Sequence, residues 1–203
     1  MRKIGGWLAA GVICWGLIAV GPLTAQTHEW THIDPADSAG SGARIRGIIK
    51  HLRYPVLDSR DSIEVASFIR DSKLTLLWYF ASWCWNCNQE IPLLQRMYNK
   101  YHDSGFRILG IGVYSPVKDL KTFRDKYHIT FPIVVGPSRI KQLETRQQTD
   151  HYSLRKLAGD QRTWGTPFNL WIVPQDRESL GVYIAAGEIH HAELQDFLET
   201  HLP

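Results

Sequence analysis

Continuous apolar runs and amphipathic segments alternate along the chain, which indicates strands separated by helices. The run from Leu74 to Ala81 is almost entirely apolar and rich in aromatic residues, as expected for a central strand that is covered on both faces. Further apolar segments have the length and composition of strands. The predicted strands are 54–57, 74–81, 106–113, 131–135, 168–173 and 180–186.

Apolar residues at spacings of three and four predict helices between these strands. The predicted helices are 61–71, 84–101, 117–127 and 190–202. The first of them is expected to bury Ile63, Ala66, Phe68 and Ile69. The polar segment 136–159 is predicted to be helical in pieces, either as an insertion or as a longer helix. Helices that alternate with strands, followed by a hairpin and a final helix, indicate an α/β fold.

The N-terminal residues 1–26 have the features of a targeting segment. Arg2 and Lys3 form a positive n-region, and the apolar run 7–20 forms an h-region ahead of a cleavage site. The apolar stretch 4–25 is also long enough to cross a bilayer, so an uncleaved membrane anchor is an equal alternative. Both alternatives place the rest of the chain in the periplasm or a similar extracytoplasmic compartment.

The residues that follow the targeting segment are polar and irregular, and we predict a flexible spacer over 27–53. The centre of this stretch, 34–42, is rich in residues that favour turns and loops. The folded domain is then expected to comprise 54–203.

Composition places the chain among ordinary globular proteins. Its 203 residues are 44% hydrophobic and 21% charged, which suits one folded domain with extensions. The net charge of +3 is small and the basic residues are scattered, so no nucleic-acid partner is predicted. Of the three cysteines, Cys14 lies in the targeting segment, which leaves Cys84 and Cys87 for the domain. A single Cys-x-x-Cys pair in an exported domain is typical of a redox module.

Cys84 and Cys87 follow the central predicted strand at the point where the helical pattern begins. Unpaired amides and the helix dipole at a helix N-terminus favour a thiolate, so Cys84 is predicted to be the nucleophile and Cys87 the resolving thiol. Such a pair closes and reopens a disulfide by thiolate attack. Two structural interpretations are weaker. A zinc site needs four ligands, and a static disulfide over so short a loop constrains the unfolded chain little.

The residues from Trp83 to Pro92 read Trp-Cys-x-x-Cys-x-x-Glu-x-Pro. This pattern resembles the active site of the thioredoxin superfamily and, within it, the TlpA/ResA-like branch of membrane-facing thiol–disulfide oxidoreductases. The resemblance covers 54–203 and implies an α/β, thioredoxin-like fold with a central mixed sheet flanked by helices.

The resemblance also implies a function. The expected activity is reduction of disulfides in extracytoplasmic proteins, for example in cytochrome c maturation. The partners would be disulfide-containing protein substrates and a membrane thiol electron donor, with membrane contact through the N-terminal segment if that segment is uncleaved. No bound cofactor or metal is expected, and we expect a monomer.

Residues around the cysteines receive roles from the same resemblance. Thr166 and Pro167 are expected to share a cis peptide bond opposite the cysteines, which leaves the Thr166 backbone ready to pair with an extended substrate. Glu90 lies three residues after Cys87 on the same helix face. It is expected to raise the thiol pKa values and to shuttle protons, and the alternative is a solvated helix glutamate.

Two tryptophans beside the cysteines are predicted to bind substrate. Trp83 is expected to pack under the active-site loop and to contribute shape. Trp85 is expected to be exposed beside Cys84, where it either contacts the partner or packs on the rim of the site.

Two departures from the family pattern keep other functions open. Trp78 occupies the position of the buried thioredoxin aspartate, six residues before Cys84, so proton transfer would fall to Glu90 or water. Trp85 and Asn86 stand where thioredoxins commonly have Gly-Pro, so the reduction potential cannot be carried over. A disulfide-donating oxidase, a copper-handling module that uses the same cysteines and a domain that only binds partners are the alternatives.

Overall fold

The computed structural model describes residues 31–37, 39–138, 143–176 and 179–202. The predicted targeting segment 1–26 lies outside the described residues, so the choice between cleavage and anchoring stays a prediction. Within the described ranges, no helix is both long enough and apolar enough to span a membrane.

These ranges contain eight strands and seven α-helices. The strands are β1 (Asp34–Pro35), β2 (Arg53–Pro55), β3 (Ser62–Glu64), β4 (Leu74–Phe80), β5 (Phe106–Gly112), β6 (Ile133–Val135), β7 (Phe168–Pro174) and β8 (Leu180–Ala185). The helices are α1 (Ser41–Ile49), α2 (Val65–Arg70), α3 (Trp85–Tyr101), α4 (Val117–Tyr127), α5 (Leu143–Gln147), α6 (Asp150–Leu157) and α7 (His191–His201).

Six of the described strands form one mixed sheet in the order β1-β8-β7-β4-β5-β6. Strands β4, β5 and β6 are parallel, whereas β7 runs antiparallel to both β4 and β8. In this register, Leu77 of β4 lies between Leu109 of β5 and Leu170 of β7. The predicted α/β architecture, with a central mixed sheet flanked by helices, is therefore confirmed.

The central strand β4 is buried along its whole length because helices cover both faces of the sheet. Successive side chains of a strand point to opposite faces. Leu76 and Trp78 belong to the core beneath α3, α4 and α7. Leu77 and Tyr79 belong to the core beneath α1, α2 and α6. The two cores explain why the sequence of β4 is continuously apolar rather than alternating.

The prediction of a flexible spacer over 27–53 is wrong for the described part of that range. Strand β1 pairs antiparallel with β8 at the edge of the sheet. Helix α1 buries Ile45 and Ile49 in the core that also contains Tyr79. The turn-forming residues at 34–42 suggested a loop. The apolar residues that follow them at helical spacing instead form the buried face of α1.

The first predicted helix, 61–71, also differs from the structure. Residues Ser62–Glu64 form β3, which pairs with β2, and α2 begins only at Val65. This helix buries Val65 and Ile69. The predicted core positions that are only partly buried are Ile63, Ala66 and Phe68. The polar segment 136–159 contains α5 and α6, so the prediction of helical pieces there is confirmed.

If α1 is part of the folded unit, truncating its buried face will destabilise the whole domain. We expect Ile45→Ala to lower the free energy of unfolding by about 2 to 5 kcal/mol, because it leaves a cavity at a fully buried site. Urea unfolding followed by circular dichroism measures the change. The control is Arg44→Ala on the exposed face of the same helix, which should stay within about 0.5 kcal/mol of wild type. If Ile45→Ala lowered the free energy of unfolding no more than Arg44→Ala does, α1 would contribute no packing to the core.

Candidate active site

Cys84 stands at the junction between the central strand and the longest described helix. Strand β4 ends at Phe80, and α3 begins at Trp85 with Cys84 as its N-cap residue. The Cys84 backbone is extended, and its sulfur accepts a hydrogen bond from the Cys87 amide at 3.3 Å. The sulfur therefore takes the place of a capping oxygen, at the positive end of the helix dipole.

Side chains from α3 and from the loop after β5 hold the turn between β4 and α3 in place. The hydroxyl of Ser115 accepts a hydrogen bond from the Ser82 amide at 2.9 Å. The amide group of Asn88 donates to the Cys84 carbonyl at 2.7 Å and accepts from the Tyr127 hydroxyl at 2.6 Å. The sequence analysis did not identify Asn88 or Ser115, because their partners come from separate elements.

Both thiols are free, and their environments push their pKa values in opposite directions. A hydrogen bond from the Cys87 thiol is the largest cause that lowers the pKa of Cys84 to about 6. The Thr166 hydroxyl, the Cys87 amide and the positive charge of Arg162 lower this pKa further, against the effect of burial. Burial and the neighbouring Cys84 raise the pKa of Cys87 well above its ordinary value. At neutral pH the site thus holds one thiolate and one thiol.

The two sulfurs differ in access as well as in charge. Only 7% of Cys84 is exposed, whereas Cys87 is fully buried. Cys84 is therefore the more accessible of the two cysteines.

The loop that precedes β7 lies against the cysteines. The Thr166–Pro167 peptide bond is cis, as the resemblance implied. The Thr166 hydroxyl lowers the pKa of Cys84, as a hydrogen-bonding group beside the sulfur would. The structure thus brings together residues that are about eighty positions apart in the chain.

Glu90 lies on α3 one turn after Cys87 and is 1% exposed, so the alternative of a solvated glutamate is wrong. Its carboxylate accepts hydrogen bonds from the Trp78 indole at 2.7 Å and from the Asn169 amide at 3.1 Å. The Ile189 amide donates to it at 3.3 Å. Burial outweighs these donors and raises the pKa of Glu90 to about 8.

Trp78 has a role that the sequence analysis missed. It was noted there only as a residue that cannot replace the thioredoxin aspartate in proton transfer. In the structure its indole N–H instead donates to the carboxyl group of Glu90. The residue at this position of β4 therefore still contacts the ionisable side chain that is assigned to proton transfer. A polar atom on an otherwise apolar central strand was the signal that could have indicated this contact.

The two tryptophans beside the cysteines lie on the surface. Trp85 is 72% exposed, as predicted. Trp83 does not pack under the loop, because it is 48% exposed and its indole N–H donates to the Tyr114 carbonyl at 3.0 Å. Its ring meets the edge of Trp164 at a centroid distance of 5.3 Å. Trp83 and Trp164 thus form an aromatic pair, and Trp85 is exposed at the residue that follows Cys84.

Across 31–37, 39–138, 143–176 and 179–202, no group of three or more His, Cys, Asp or Glu side chains lies together as metal ligands would.

Comparisons with known proteins agree with this geometry. The model of the AhpC/TSA family matches residues 53–157. The thiol-disulfide oxidoreductase ResA of Geobacillus thermodenitrificans is 32% identical over 57 residues, which are 28% of this chain and 33% of the relative. The thioredoxin-like protein YneN of Bacillus subtilis is 32% identical over 71 residues, which are 34% of this chain and 41% of the relative. The chain thus matches less than half the length of these curated relatives.

Solved structures share the fold at low sequence identity. A secreted Mycobacterium tuberculosis disulfide oxidoreductase homologous to E. coli DsbE superposes with a TM-score of 0.54 and 15% identity, covering 76% of this chain and 98% of that one. A thiol:disulfide interchange protein of the thioredoxin family from Chlorobium tepidum gives a TM-score of 0.54 and 16% identity, covering 87% and 100%. These likenesses show a thioredoxin-like fold.

The relatives named ResA agree with the resemblance drawn from Trp83 to Pro92. The match at 53–157 covers more than half of the 203 residues. The chain therefore belongs to the AhpC/TSA family and has a thioredoxin-like fold.

Proposed function

We propose that this protein is an extracytoplasmic thiol–disulfide oxidoreductase that reduces disulfides in exported proteins, for example during cytochrome c maturation. The observation that carries the proposal is the paired environment of the cysteines. Cys84 has a pKa lowered to about 6 at the start of α3, and Cys87 beneath it has a raised pKa. A nucleophilic thiolate beside a protonated resolving thiol is the arrangement that disulfide exchange requires.

In the first step, the Cys84 thiolate attacks one sulfur of a substrate disulfide. A bond forms between the Cys84 sulfur and that substrate sulfur, while the substrate disulfide breaks. The other substrate sulfur leaves as a thiolate and takes up a proton. Thr166 and Pro167 next to Cys84, with Trp83 and Trp85 on the rim, are the residues that we assign to substrate binding.

In the second step, Cys87 loses its proton and attacks the Cys84 sulfur of the mixed disulfide. The second substrate thiolate is released, and a disulfide forms between Cys84 and Cys87. Two electrons have then passed from the protein to the substrate. A dithiol carrier in the membrane would return them by the same exchange in reverse, so the reaction needs no organic cofactor.

Glu90 is the group that we assign to move the Cys87 proton. It lies one turn from Cys87, and in its ionised form it is among the causes that raise the pKa of that thiol. Because the pKa of Glu90 is raised to about 8, its carboxylate is a stronger base than an ordinary glutamate, which reduces the free-energy cost of taking a proton from the less acidic Cys87 thiol. In an ordinary solvated glutamate the carboxylate would be too weak a base.

The low pKa of Cys84 also bears on the disulfide-donating alternative, because a stabilised thiolate favours the reduced form and makes the pair more oxidising. Thioredoxin has a nucleophile pKa of about 7 and the oxidant DsbA one of about 3.5. The value of about 6 for Cys84 lies nearer to thioredoxin. This comparison favours the reductase.

The most direct variant is Cys84→Ser, which removes the attacking sulfur. We expect it to lose disulfide-reducing activity by at least about a hundredfold, since a serine hydroxyl is not ionised at neutral pH. Reduction of insulin disulfides by dithiothreitol, followed by turbidity, measures the activity. Cys14→Ser is the control for loss of a cysteine, because Cys14 belongs to the predicted targeting segment and not to the Cys-x-x-Cys pair. Full activity in Cys84→Ser would refute the proposed function.

The proposed state of Glu90 predicts a pH dependence of stability. Its pKa rises from 4.5 to about 8 on folding, so between these values the folded protein holds a proton that the unfolded chain has lost. Rising pH therefore favours the unfolded state. We expect the free energy of unfolding of the wild type to fall from pH 4.5 to 8, relative to that of Glu90→Gln.

Urea unfolding of the reduced proteins at a series of pH values measures this difference, and the comparison cancels the titration of other groups. The exposed Glu64→Gln substitution is the control for loss of one carboxyl group. Parallel pH profiles for wild type and Glu90→Gln would mean that Glu90 is an ordinary carboxylate.

A further inference from the structure

The segment from α6 to the Thr166–Pro167 loop buries an unusual number of polar and charged side chains. His151, Arg155 and Asp160 are all buried in the described structure. Charged side chains are rarely buried unless they are paired, because removing them from water is costly. The reduction steps proposed above use none of these residues, so their burial calls for another explanation.

The buried charges are paired with one another through Asp160. Its carboxylate accepts from the Arg155 Nε at 2.8 Å and from the Arg162 Nη2 at 2.9 Å. It also accepts from the Arg162 Nε at 3.0 Å. Burial opposes the ionisation of Asp160, but these hydrogen bonds outweigh it and hold its pKa below the ordinary range. Asp160 is thus an anion that fixes two guanidinium groups.

The same side chains hold the loop on both sides of Thr166. Arg162 donates from Nη2 to the Pro167 carbonyl at 2.9 Å. His151 donates from Nε2 to the Gly165 carbonyl at 3.2 Å. Because burial lowers the pKa of His151 to about 3, the ring is neutral, and its Nδ1 accepts from the Tyr114 hydroxyl at 3.0 Å.

Gly165 shows how closely the buried side chains pack against the Thr166–Pro167 loop. The residue has a φ of +61°, which favours glycine. A Cβ atom at this position would overlap the guanidinium group of Arg155. The arginine therefore packs directly against the loop backbone, and the residues on either side of Thr166 are both fixed.

We propose that Arg162, anchored by Asp160, is a positioning residue for disulfide exchange: it fixes the Pro167 carbonyl so that the neighbouring Thr166 hydroxyl meets the Cys84 sulfur. The inference rests on the proposed function. A second, smaller contribution is the positive charge of Arg162 itself. That charge is screened because 35% of the side chain is exposed.

The order of the effects at Cys84 supports action through Thr166. Both the Thr166 hydrogen bond and the Arg162 charge lower the pKa of Cys84, and the Thr166 hydrogen bond is the larger of the two. Loss of Arg162 would remove its charge and, by removing the hydrogen bond to the Pro167 carbonyl, would also weaken the effect of Thr166. A purely structural network would change stability and leave the titration of Cys84 unaltered.

The test is the pH profile of Cys84 alkylation by iodoacetamide in the reduced protein, with the modified cysteine identified by peptide mass. The wild-type rate should be half-maximal at about pH 6. For Arg162→Gln we expect the midpoint to move up by about 0.5 to 1 pH unit. The control is Arg53→Gln, which removes an arginine paired with Glu64 on the surface and should leave the midpoint unchanged.

Arg162→Lys separates position from charge. Lysine keeps the cation beside Asp160 but lacks the planar fork that reaches Asp160 and the Pro167 carbonyl together. We expect it to recover less than half of the shift, and full recovery would overturn the positioning role. An unchanged midpoint in Arg162→Gln would overturn the inference entirely.

A double substitution tests whether Arg162 acts through Thr166. In a Thr166→Val background the hydroxyl is absent, so Arg162→Gln should shift the midpoint by less than half of its effect in wild type. An undiminished effect would contradict the inference. Alkylation needs no disulfide substrate, so these results stand apart from the insulin assay. Failure of the wild type in that assay would overturn the proposed function, whereas an unshifted alkylation profile would overturn only the role of Arg162.

Discussion

The structure depends on the placement of one sulfur at the point where a buried strand becomes a helix. Strand β4 is enclosed by two cores, and α3 begins immediately after the turn that follows it. Cys84 caps that helix, so unpaired amides and the helix dipole act on its sulfur. Because Cys84 is itself the N-cap residue, its sulfur lies at the N-terminus of α3, and the packing on both faces of β4 positions the start of this helix.

Three titratable groups near this junction differ in charge because their surroundings differ. Cys84 receives hydrogen bonds and is stabilised as an anion, whereas burial keeps Cys87 and Glu90 protonated. Because the pKa values within one site differ, Cys84 can attack the substrate, Cys87 can resolve the mixed disulfide and Glu90 can carry the proton. The contacts that set these values come from β4, β7 and the Thr166 loop, so the chemistry is a property of the whole fold.

Local patterns in the sequence predicted the helices and strands whose formation depends mainly on residues close to one another in the chain. The bounds predicted for the helix 117–127 agree with the structure, and β4 and α3 differ from prediction by one residue at their ends. Helix α1 was missed because turn-forming residues precede it and its burial depends on a sheet formed far along the chain. The start of α2 was misplaced because strand pairing with β2 overrides helical spacing.

The cysteine pair and its approximate roles were also accessible from sequence, because strand, turn and helix are contiguous there. The partners of Glu90 were not, since Asn169 lies 79 residues away. The charge network around Asp160 was likewise hidden, because Arg155 and Arg162 are unremarkable in sequence and show a role only when the fold places both of them on Asp160. Long-range contacts of this kind leave no periodic signal.

The central claim is that Cys84 and Cys87 form a reversible redox couple that is poised for reduction. The most direct measurement is the reduction potential of this pair, obtained by equilibration with a dithiothreitol or glutathione couple. The account predicts a potential in the thioredoxin region, about −270 mV, because the pKa of Cys84 is close to that of the thioredoxin nucleophile. A potential of about −120 mV would contradict the reductase and indicate a disulfide donor. If no reversible couple appeared, redox chemistry at this site would be ruled out.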